Sequence, residues 1–277
     1  MHARDLPVAL TIAGSDSGGG AGIQADIKTF QAFGVFGTSA LTAITAQDTV
    51  RVHRVHPLEP ELVAEQIRVV MKDLSPTAVK TGMLATAPVT AIVADTLAVW
   101  PLIPYVLDPV LVASSGDRLM DDDAVGVVKS QLVPRAVLVT PNLHEARILT
   151  GLPVQGEAGQ LEAAKALVRL GAKAALVKGG HGEGSEVADV FWNGDRERIW
   201  RRPRIHTRST HGTGCTLSAA VTAELARGTQ LIEAVNRALS YVWRAIYEAP
   251  SLGRGLGPLN HFVPSRPGPG EDPVRPG

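Results

Sequence analysis

Short apolar runs alternate along the chain with longer segments in which apolar residues recur every three or four positions. Six apolar runs predict buried strands, at residues 8–14, 40–47, 78–84, 105–112, 136–142 and 173–180. The helical periodicity predicts helices between and after them, at residues 21–34, 59–74, 87–100, 121–133, 143–151, 159–171, 214–228 and 231–249. This alternation predicts an α/β fold in which helices cover both faces of a central, mostly parallel sheet.

The later part of the chain departs from this alternation in two places. Residues 187–192 and 196–203 flank the pair Asn193-Gly194, which predicts a β-hairpin. Residues 263–277 are dominated by proline and glycine, which predicts a disordered tail. The expected organisation is therefore one domain over residues 1–262, followed by a tail over residues 263–277.

Polar and glycine-rich letters cluster where the predicted strands end. These clusters read GSDSGGGAG, AQDT, GML, DPV, TPN and KGGH. Ligands of open parallel sheets bind beyond the carboxyl ends of the strands. The sequence therefore predicts a ligand site at this edge.

Composition and charge narrow the range of partners. Lys+Arg and Asp+Glu both number 27, and no basic stripe with interleaved aromatic residues occurs, so nucleic acid is not expected as a partner. The most apolar long stretch, residues 97–113, contains three prolines and Asp108, which excludes a transmembrane helix. The single cysteine suits a reducing compartment, and the N-terminal letters resemble a strand and loop rather than a signal peptide. A cytoplasmic protein without membrane contact is expected.

The single cysteine, Cys215, lies in the stretch THGTGCTLSAA. Gly212 and Gly214 allow a tight turn into a helix whose first N–H groups and positive dipole end favour an anion. A thiolate is also favoured at a helix N-terminus. A buried cysteine in a small-residue helix explains the same letters equally well.

Four further stretches could bind a phosphorylated ligand or a metal ion. The loop at residues 14–22 carries three successive glycines but matches neither the Walker A spacing nor a dinucleotide fingerprint, so a lid or close-approach loop is the hypothesis. Lys178 ends a strand and could contact phosphate oxygens, and Asp108 could hold Mg²⁺ directly or through water. Asn142 and Glu145 begin a helix, where they also suit a capping arrangement.

One glutamine and three histidines are the remaining polar residues that could contact a ligand or a metal ion. Gln47 follows a strand, and its planar amide offers a donor and an acceptor to the edge of an aminopyrimidine or a similar ring. His181, His206 and His211 show no spacing typical of metal ligands, so we expect them to be local hydrogen-bonding or surface residues.

Six stretches together resemble a known family. They are residues 9–49, VKTGML, VLDPV, VTPNLHEA, VKGGH and THGTGCTLSAA, and the resemblance to the hydroxymethylpyrimidine/phosphomethylpyrimidine kinases of thiamine biosynthesis runs from about Val8 to Phe262. The resemblance implies a single-domain ribokinase-like fold and a homodimer. It also implies ATP-dependent phosphorylation of 4-amino-5-hydroxymethyl-2-methylpyrimidine to its monophosphate and then to its diphosphate, with Mg²⁺.

The resemblance also implies roles for individual residues. It nominates Cys215 as the catalytic base. A thiolate with a pKa near neutrality could accept the hydroxyl proton, although a loose transition state requires little from a base. Other residues follow by group: Gly212, Thr213 and Gly214 as an anion hole; Gly14, Asp26, Gln47, Met83 and Val110 around the pyrimidine; Lys178, Asn142 and Thr210 at ATP; Asp108 and Glu145 at Mg²⁺.

Three other functions remain open at this point. A pyridoxal or pyridoxine kinase of the same fold is the nearest, since the letters GTGC do not exclude it. A non-catalytic pyrimidine-binding protein is disfavoured by the presence of Lys178 and both glycine loops. A dinucleotide-dependent oxidoreductase is disfavoured by the glycine spacing at residues 14–22.

Overall fold

A computed structural model describes residues 6–111, 120, 122–180 and 184–266, together with the backbone of residues 275 and 276. Within these residues, ten strands form one sheet in the order β10-β9-β8-β7-β6-β5-β4-β1-β2-β3. Six of them, β2, β1, β4, β5, β6 and β7, are mutually parallel, and the remaining pairs are antiparallel. The prediction of a mostly parallel central sheet is confirmed.

The strands and helices alternate through most of the chain. The strands are β1 Val8–Asp16, β2 Phe36–Gln47, β3 Val52–Pro57, β4 Ala78–Thr81, β5 Tyr105–Leu107, β6 Leu138–Val139, β7 Ala175–Val177, β8 Glu186–Trp192, β9 Glu197–Pro203 and β10 Arg275–Pro276. The helices are α1 Gly22–Ala32, α2 Pro60–Asp73, α3 Ala87–Leu97, α4 Asp122–Val127, α5 Leu143–Thr150, α6 Gly156–Arg169, α7 Thr213–Ala226 and α8 Leu231–Tyr247. A π-helical turn and a 3₁₀ turn continue α4 to Arg135.

The helices cover both faces of the sheet, as the apolar strands require. Val63, Val93 and Leu167 of α2, α3 and α6 pack on one face, where Leu10 and Ile12 of β1 point. Phe30, Leu217 and Leu239 of α1, α7 and α8 pack with Ala9 on the opposite face. Alternate residues of β1 thus enter different cores, which explains its continuous apolar run. No helix in the described ranges combines the length and apolarity needed to cross a bilayer.

Two features differ from the sequence-based expectation. Strand β3 was not predicted, because its letters VHRVHP are half-exposed or exposed throughout and show no apolar stripe. The expected domain boundary after Phe262 falls within packed chain, since Val263 is buried and the Pro264 carbonyl accepts a hydrogen bond from Arg244 Nη1 at 2.7 Å. Residues 275–276 pair with β9. Disorder of residues 267–274 and 277 stays a prediction, since they lie outside the described residues.

Candidate active site

A cavity of about 640 Å³ opens at the carboxyl edge of the parallel strands. Its walls come from the ends of β1, β2, β4, β5, β6 and β7 and from the start of α7. Every site residue predicted from the sequence except Asp26 lines it: Gly14, Gln47, Met83, Asp108, Val110, Asn142, Glu145, Lys178, Thr210, Gly212, Thr213, Gly214 and Cys215. The fold therefore brings residues from the ends of six strands together around one cavity.

The start of α7 forms an anion cradle on one wall of the cavity. Gly212 is the N-cap residue, with φ of 81°, and no side chain caps the helix. A Cβ on Gly214 would lie 3.2 Å from Lys178 Nζ and 3.6 Å from an Asp108 carboxylate oxygen, so the absence of a side chain lets these charges approach the helix. Backbone N–H groups, a helix dipole and a lysine thus converge on one point, which is suited to phosphate.

The two glycine-rich stretches touch each other. A Cβ on Gly212 would collide with the Gly20 carbonyl oxygen, and one on Gly20 would collide with the His211 ring. The Asp16 carboxylate accepts hydrogen bonds from the N–H groups of Gly18, Gly20 and Ala21 at 2.8–3.0 Å, and His211 Nε2 lies 2.8 Å from it. Asp16 thereby ties the first loop to the second.

The charge state of Asp16 follows from these contacts. Burial raises its pKa, but the hydrogen bond from His211 and those from the backbone outweigh burial, so the pKa lies below its ordinary value. Asp16 is therefore a carboxylate at neutral pH and acts only as an acceptor.

Lys178 and Asp108 form an ion pair beside the anion cradle. Lys178 Nζ donates to Asp108 Oδ1 at 3.1 Å, and both side chains are largely buried. Ser218 Oγ donates to the other Asp108 oxygen at 3.2 Å, and Thr140 Oγ1 lies 3.3 Å from Oδ1. The Asp108 side chain is thus fixed by α7, β7 and the end of β6 together.

Asn142 and Glu145 form the capping box that their spacing predicted. The Asn142 side chain accepts from the N–H groups of His144 and Glu145, and the Glu145 carboxylate accepts from the Asn142 N–H at 2.8 Å. Burial raises the pKa of Glu145 to about 7; nearby Lys178 lowers it and Asp108 raises it. The helix cap and the ligand site therefore share the same two residues.

Another part of the cavity is lined by the uncharged residues Gly14, Met83, Val110 and Gln47. Gly14 lies under Met83, whose terminal methyl a Cβ on Gly14 would strike, and Thr42 Oγ1 donates to the Met83 carbonyl at 2.6 Å. Gln47 lines the same cavity, with its backbone N–H donating to Ser17 Oγ and its carbonyl accepting from the same hydroxyl, each at 2.8 Å. An apolar surface and a planar amide in one cavity are suited to a flat heterocycle with a polar edge.

A family model described as phosphomethylpyrimidine kinase matches residues 16–260. This chain belongs to the phosphomethylpyrimidine kinase family. A hydroxymethylpyrimidine/phosphomethylpyrimidine kinase of Rhizobium meliloti (strain 1021) is 50% identical over 92% of this chain and 97% of its own length. One from Synechococcus elongatus is 45% identical over 94% and 98% of the two chains.

Solved structures share the fold of this family member. A Bacillus subtilis pyridoxal kinase in an ADP complex superposes with a TM-score of 0.86 at 38% identity, covering 92% of this chain and 97% of its own. A Clostridium difficile 630 phosphomethylpyrimidine kinase superposes with a TM-score of 0.77 at 37% identity, covering 86% and 99%. The ribokinase-like fold expected from the sequence is confirmed.

Asp26 is the one predicted site residue that does not line the cavity, and its contact with the pyrimidine stays a prediction. Its side chain is fully buried beneath the cavity, where Oδ1 accepts from Lys80 Nζ at 2.8 Å and Oδ2 from Thr11 Oγ1 at 2.6 Å. Lys80 is equally buried. Both carboxylate oxygens are therefore used inside the protein, between α1 and β4.

We expect Lys80→Met to lower the free energy of unfolding by about 3–5 kcal/mol, because the Asp26 carboxylate would be left buried without its partner. Urea denaturation measures this, and Lys72→Met on the exposed face of α2 is the matched control. The double variant Asp26→Asn/Lys80→Met should recover most of the loss. An unchanged stability in Lys80→Met, together with a raised KM for the pyrimidine in Asp26→Asn, would return Asp26 to the substrate.

Cys215 is the third residue of α7, and it is partly exposed and lines the cavity. Burial raises the pKa of its thiol to about 12; Lys80 lowers the pKa, Asp26 and Asp108 raise it, and a hydrogen bond from the Gly22 N–H lowers it. The pKa thus lies far above neutrality and the thiol keeps its proton at neutral pH, while the role of Cys215 as catalytic base stays a prediction. The helix N-terminus does not offset the loss of water around the sulfur.

The rate at which iodoacetamide alkylates Cys215 should rise with pH through pH 10 without a plateau, since the thiolate is the reacting form. At pH 8 the folded protein should react on the order of 10²–10³-fold more slowly than the same chain in urea, given a shift of about three pKa units. Cys215 is the only cysteine, so mass spectrometry of the intact chain gives the rate directly. A plateau below pH 8 would show a thiolate and restore the original expectation.

Sequence reasoning missed two residues that shape this site. Asp16 was not singled out within the glycine loop, although an acid two residues before three successive glycines could have indicated that its side chain bonds the loop backbone. His211 was expected to be a local hydrogen-bonding or surface residue, and the structure shows it buried and hydrogen-bonded to Asp16, 195 residues away in the chain. His206 is exposed and His181 lies outside the described residues.

Proposed function

We propose that this protein transfers the terminal phosphoryl group of ATP to 4-amino-5-hydroxymethyl-2-methylpyrimidine and then to the resulting monophosphate. The observation that carries the proposal is the single cavity in which an anion cradle at α7, the Lys178–Asp108 pair and the Gln47 amide face one space. Phosphoryl transfer needs positioning and charge neutralisation more than covalent chemistry, and these groups supply both. Curated relatives at 43–50% identity carry the name of this activity.

The phosphate side of the proposal uses the α7 end of the cavity. We assign the backbone of Gly212, Thr213 and Gly214 to the phosphoryl group in transfer, where N–H donors act on developing negative charge. Lys178 contacts the phosphates of ATP, with Thr210 and Asn142 on the nucleotide side. Lys178 is buried against Asp108 in the free protein, so its charge is already in place.

The part of the cavity beside Lys178 is also suited to binding Mg²⁺. Across the described part of the chain no three His, Cys, Asp or Glu side chains gather into a metal site, but Mg²⁺ needs only one or two carboxylates when phosphates and water complete its shell. Asp108 and Glu145 would hold it, since both carboxylates lie beside Lys178 on this wall. When bound, the ion would neutralise phosphate charge.

The pyrimidine would bind in the uncharged part of the cavity. Gly14, Met83 and Val110 would enclose the ring, and Gln47 would bond its polar edge. Cys215 would lie beside the reacting hydroxyl. Because its thiol is protonated at neutral pH in the free protein, we do not assign it the base role there, and a loose transition state requires little from a base.

A second candidate function is phosphorylation of pyridoxal. The observation that favours it is the superposition on pyridoxal kinases, including a Staphylococcus aureus pyridoxal kinase in complex with pyridoxal at a TM-score of 0.85 and 34% identity. Steady-state kcat/KM values for the hydroxymethylpyrimidine and for pyridoxal, measured with Mg-ATP, decide between them. We expect the pyrimidine to be preferred; preference for pyridoxal by tenfold or more would reverse the assignment.

The proposal includes a homodimer in the cytoplasm. Phe36 and Ile44 of β2, the strand next to the edge strand β3, are each about half exposed, which supports an apolar contact between copies. Light scattering on the purified protein tests the dimer, and a monomer at micromolar concentration would contradict it.

A further inference from the structure

The side chain of Gln47 is held between two neighbours on the cavity wall. Thr45 Oγ1 lies 3.2 Å from one end of its amide, and His211 Nε2 lies 3.4 Å from the other. Thr45 is buried and His211 nearly so. The Gln47 backbone is fixed separately by Ser17. The amide is thus positioned at both ends before any ligand arrives.

The protons in this cluster can be assigned by elimination. Asp16 is a carboxylate that already accepts three backbone N–H groups, so His211 Nε2 must carry a hydrogen to bond it at 2.8 Å. The Gln47 amide is placed with its nitrogen 3.4 Å from His211 Nε2 and its oxygen 3.2 Å from Thr45 Oγ1. A protonated Nε2 cannot accept from an NH₂ group, so this contact becomes favourable only when the amide is turned and its oxygen faces His211. Rotating the amide by 180° exchanges oxygen and nitrogen without moving other atoms.

The opposite end of the amide agrees with this orientation. The Thr45 hydroxyl has one hydrogen, which it donates to the Ser15 carbonyl at 2.9 Å. Its lone pairs are then free to accept from the Gln47 NH₂ group. With the oxygen toward His211 and the nitrogen toward Thr45, no donor in the cluster faces another donor. The single His211 Nε2 hydrogen bonds Asp16 at 2.8 Å and is shared with the Gln47 oxygen at 3.4 Å.

We propose that His211 and Thr45 are positioning residues that fix the facing of the Gln47 amide, and that this facing selects a ring carrying an acceptor nitrogen next to an exocyclic amino donor. The oriented amide keeps one N–H and one oxygen lone pair side by side for a ligand. A ring with donor and acceptor exchanged meets donor against donor, which a buried site rejects strongly. This inference rests on the proposed function, because it requires an aminopyrimidine substrate.

The test pairs two substrates with four proteins. The substrates are the hydroxymethylpyrimidine and its analogue with hydrogen in place of the 4-amino group. The proteins are the unaltered chain, His211→Ala, His211→Gln and Thr45→Val. The readout is the ratio of kcat/KM between the two substrates, because a purely structural role for His211 would change both values by the same factor.

We expect the unaltered chain to prefer the amino substrate by about 10²-fold, within the range of one or two buried hydrogen bonds. His211→Ala should reduce that preference at least tenfold with the KM for ATP within threefold. His211→Gln should keep it within threefold, because its amide N–H can still donate to Asp16. Thr45→Val, which leaves the Asp16–His211 pair intact, should reduce the preference by threefold or more.

An unchanged preference in His211→Ala or in Thr45→Val would overturn the inference. If His211→Ala does not fold, Thr45→Val decides alone. If the unaltered chain phosphorylates neither pyrimidine but does phosphorylate pyridoxal, the proposed function fails and the inference fails with it. If the unaltered chain is active and the variants keep its preference, only the inference fails.

Discussion

Replacing Gly212 by alanine is expected to lower kcat/KM for the hydroxymethylpyrimidine by at least about 10²-fold, the loss that follows removal of a preorganised donor for transition-state charge. Gly212 has φ of 81°, and a Cβ there would collide with the Gly20 carbonyl oxygen. The collision must separate the two glycine loops or shift the start of α7. Either change moves the N–H groups that receive the phosphoryl group.

Gly228→Ala is the matched control for this variant. Gly228 has the same φ of 81°, at the other end of α7, and a Cβ there meets nothing within 4 Å. It should lose about 1–2 kcal/mol of stability from the left-handed backbone and keep kcat/KM within twofold. If both variants lose activity equally, backbone strain rather than loop contact explains the loss. If Gly212→Ala keeps activity within threefold, the anion cradle is misplaced.

The second large effect is expected at Lys178. Lys178→Met keeps the length of the side chain and removes its charge, and we expect kcat to fall by about 10²–10³-fold. The Lys178 ammonium lies next to the α7 N-terminus and 3.1 Å from Asp108, so its loss leaves a buried carboxylate facing the phosphates. Repulsion between these anions should also raise the KM for ATP.

Lys165→Met provides the comparison for Lys178→Met. Lys165 lies on α6 in an exposed pair with Glu162, of the kind that contributes little to stability, and we expect activity within twofold of the unaltered chain. Thermal unfolding of both variants separates lost chemistry from lost structure. A folded Lys178→Met protein with kcat within threefold would remove Lys178 from the phosphate site.

The order of strands and helices was accessible from the sequence because each element carries its own local pattern. The hairpin at β8 and β9 was predicted from Asn193-Gly194, and Lys178 was placed at the site because it directly follows the apolar strand β7. Strand β3 escaped prediction because an exposed antiparallel edge strand needs no apolar face. Local sequence patterns thus predict strands and helices that bury one face or all of their surface, but they do not predict an exposed strand such as β3.

Contacts between distant parts of the chain were not accessible in the same way. Asp26 of α1 was predicted to contact the substrate because it lies in a characteristic motif, yet its partner Lys80 comes from β4, 54 residues later. The Asp16–His211 pair joins loops 195 residues apart. The Cys215 pKa depends on burial by several elements, whereas its local sequence indicates only a helix N-terminus. Pairing and burial of charged groups are properties of the folded chain.

The most direct measurement of the central claim uses the monophosphate as substrate. The protein is incubated with Mg-ATP and 4-amino-5-hydroxymethyl-2-methylpyrimidine monophosphate, with Lys178→Met in parallel, and the products are identified by mass spectrometry. We expect the unaltered chain to form pyrimidine diphosphate and ADP in equal amounts. In Lys178→Met the rate of diphosphate formation should be lower by about 10²-fold or more. Absence of diphosphate, with phosphate appearing on pyridoxal instead, would contradict it.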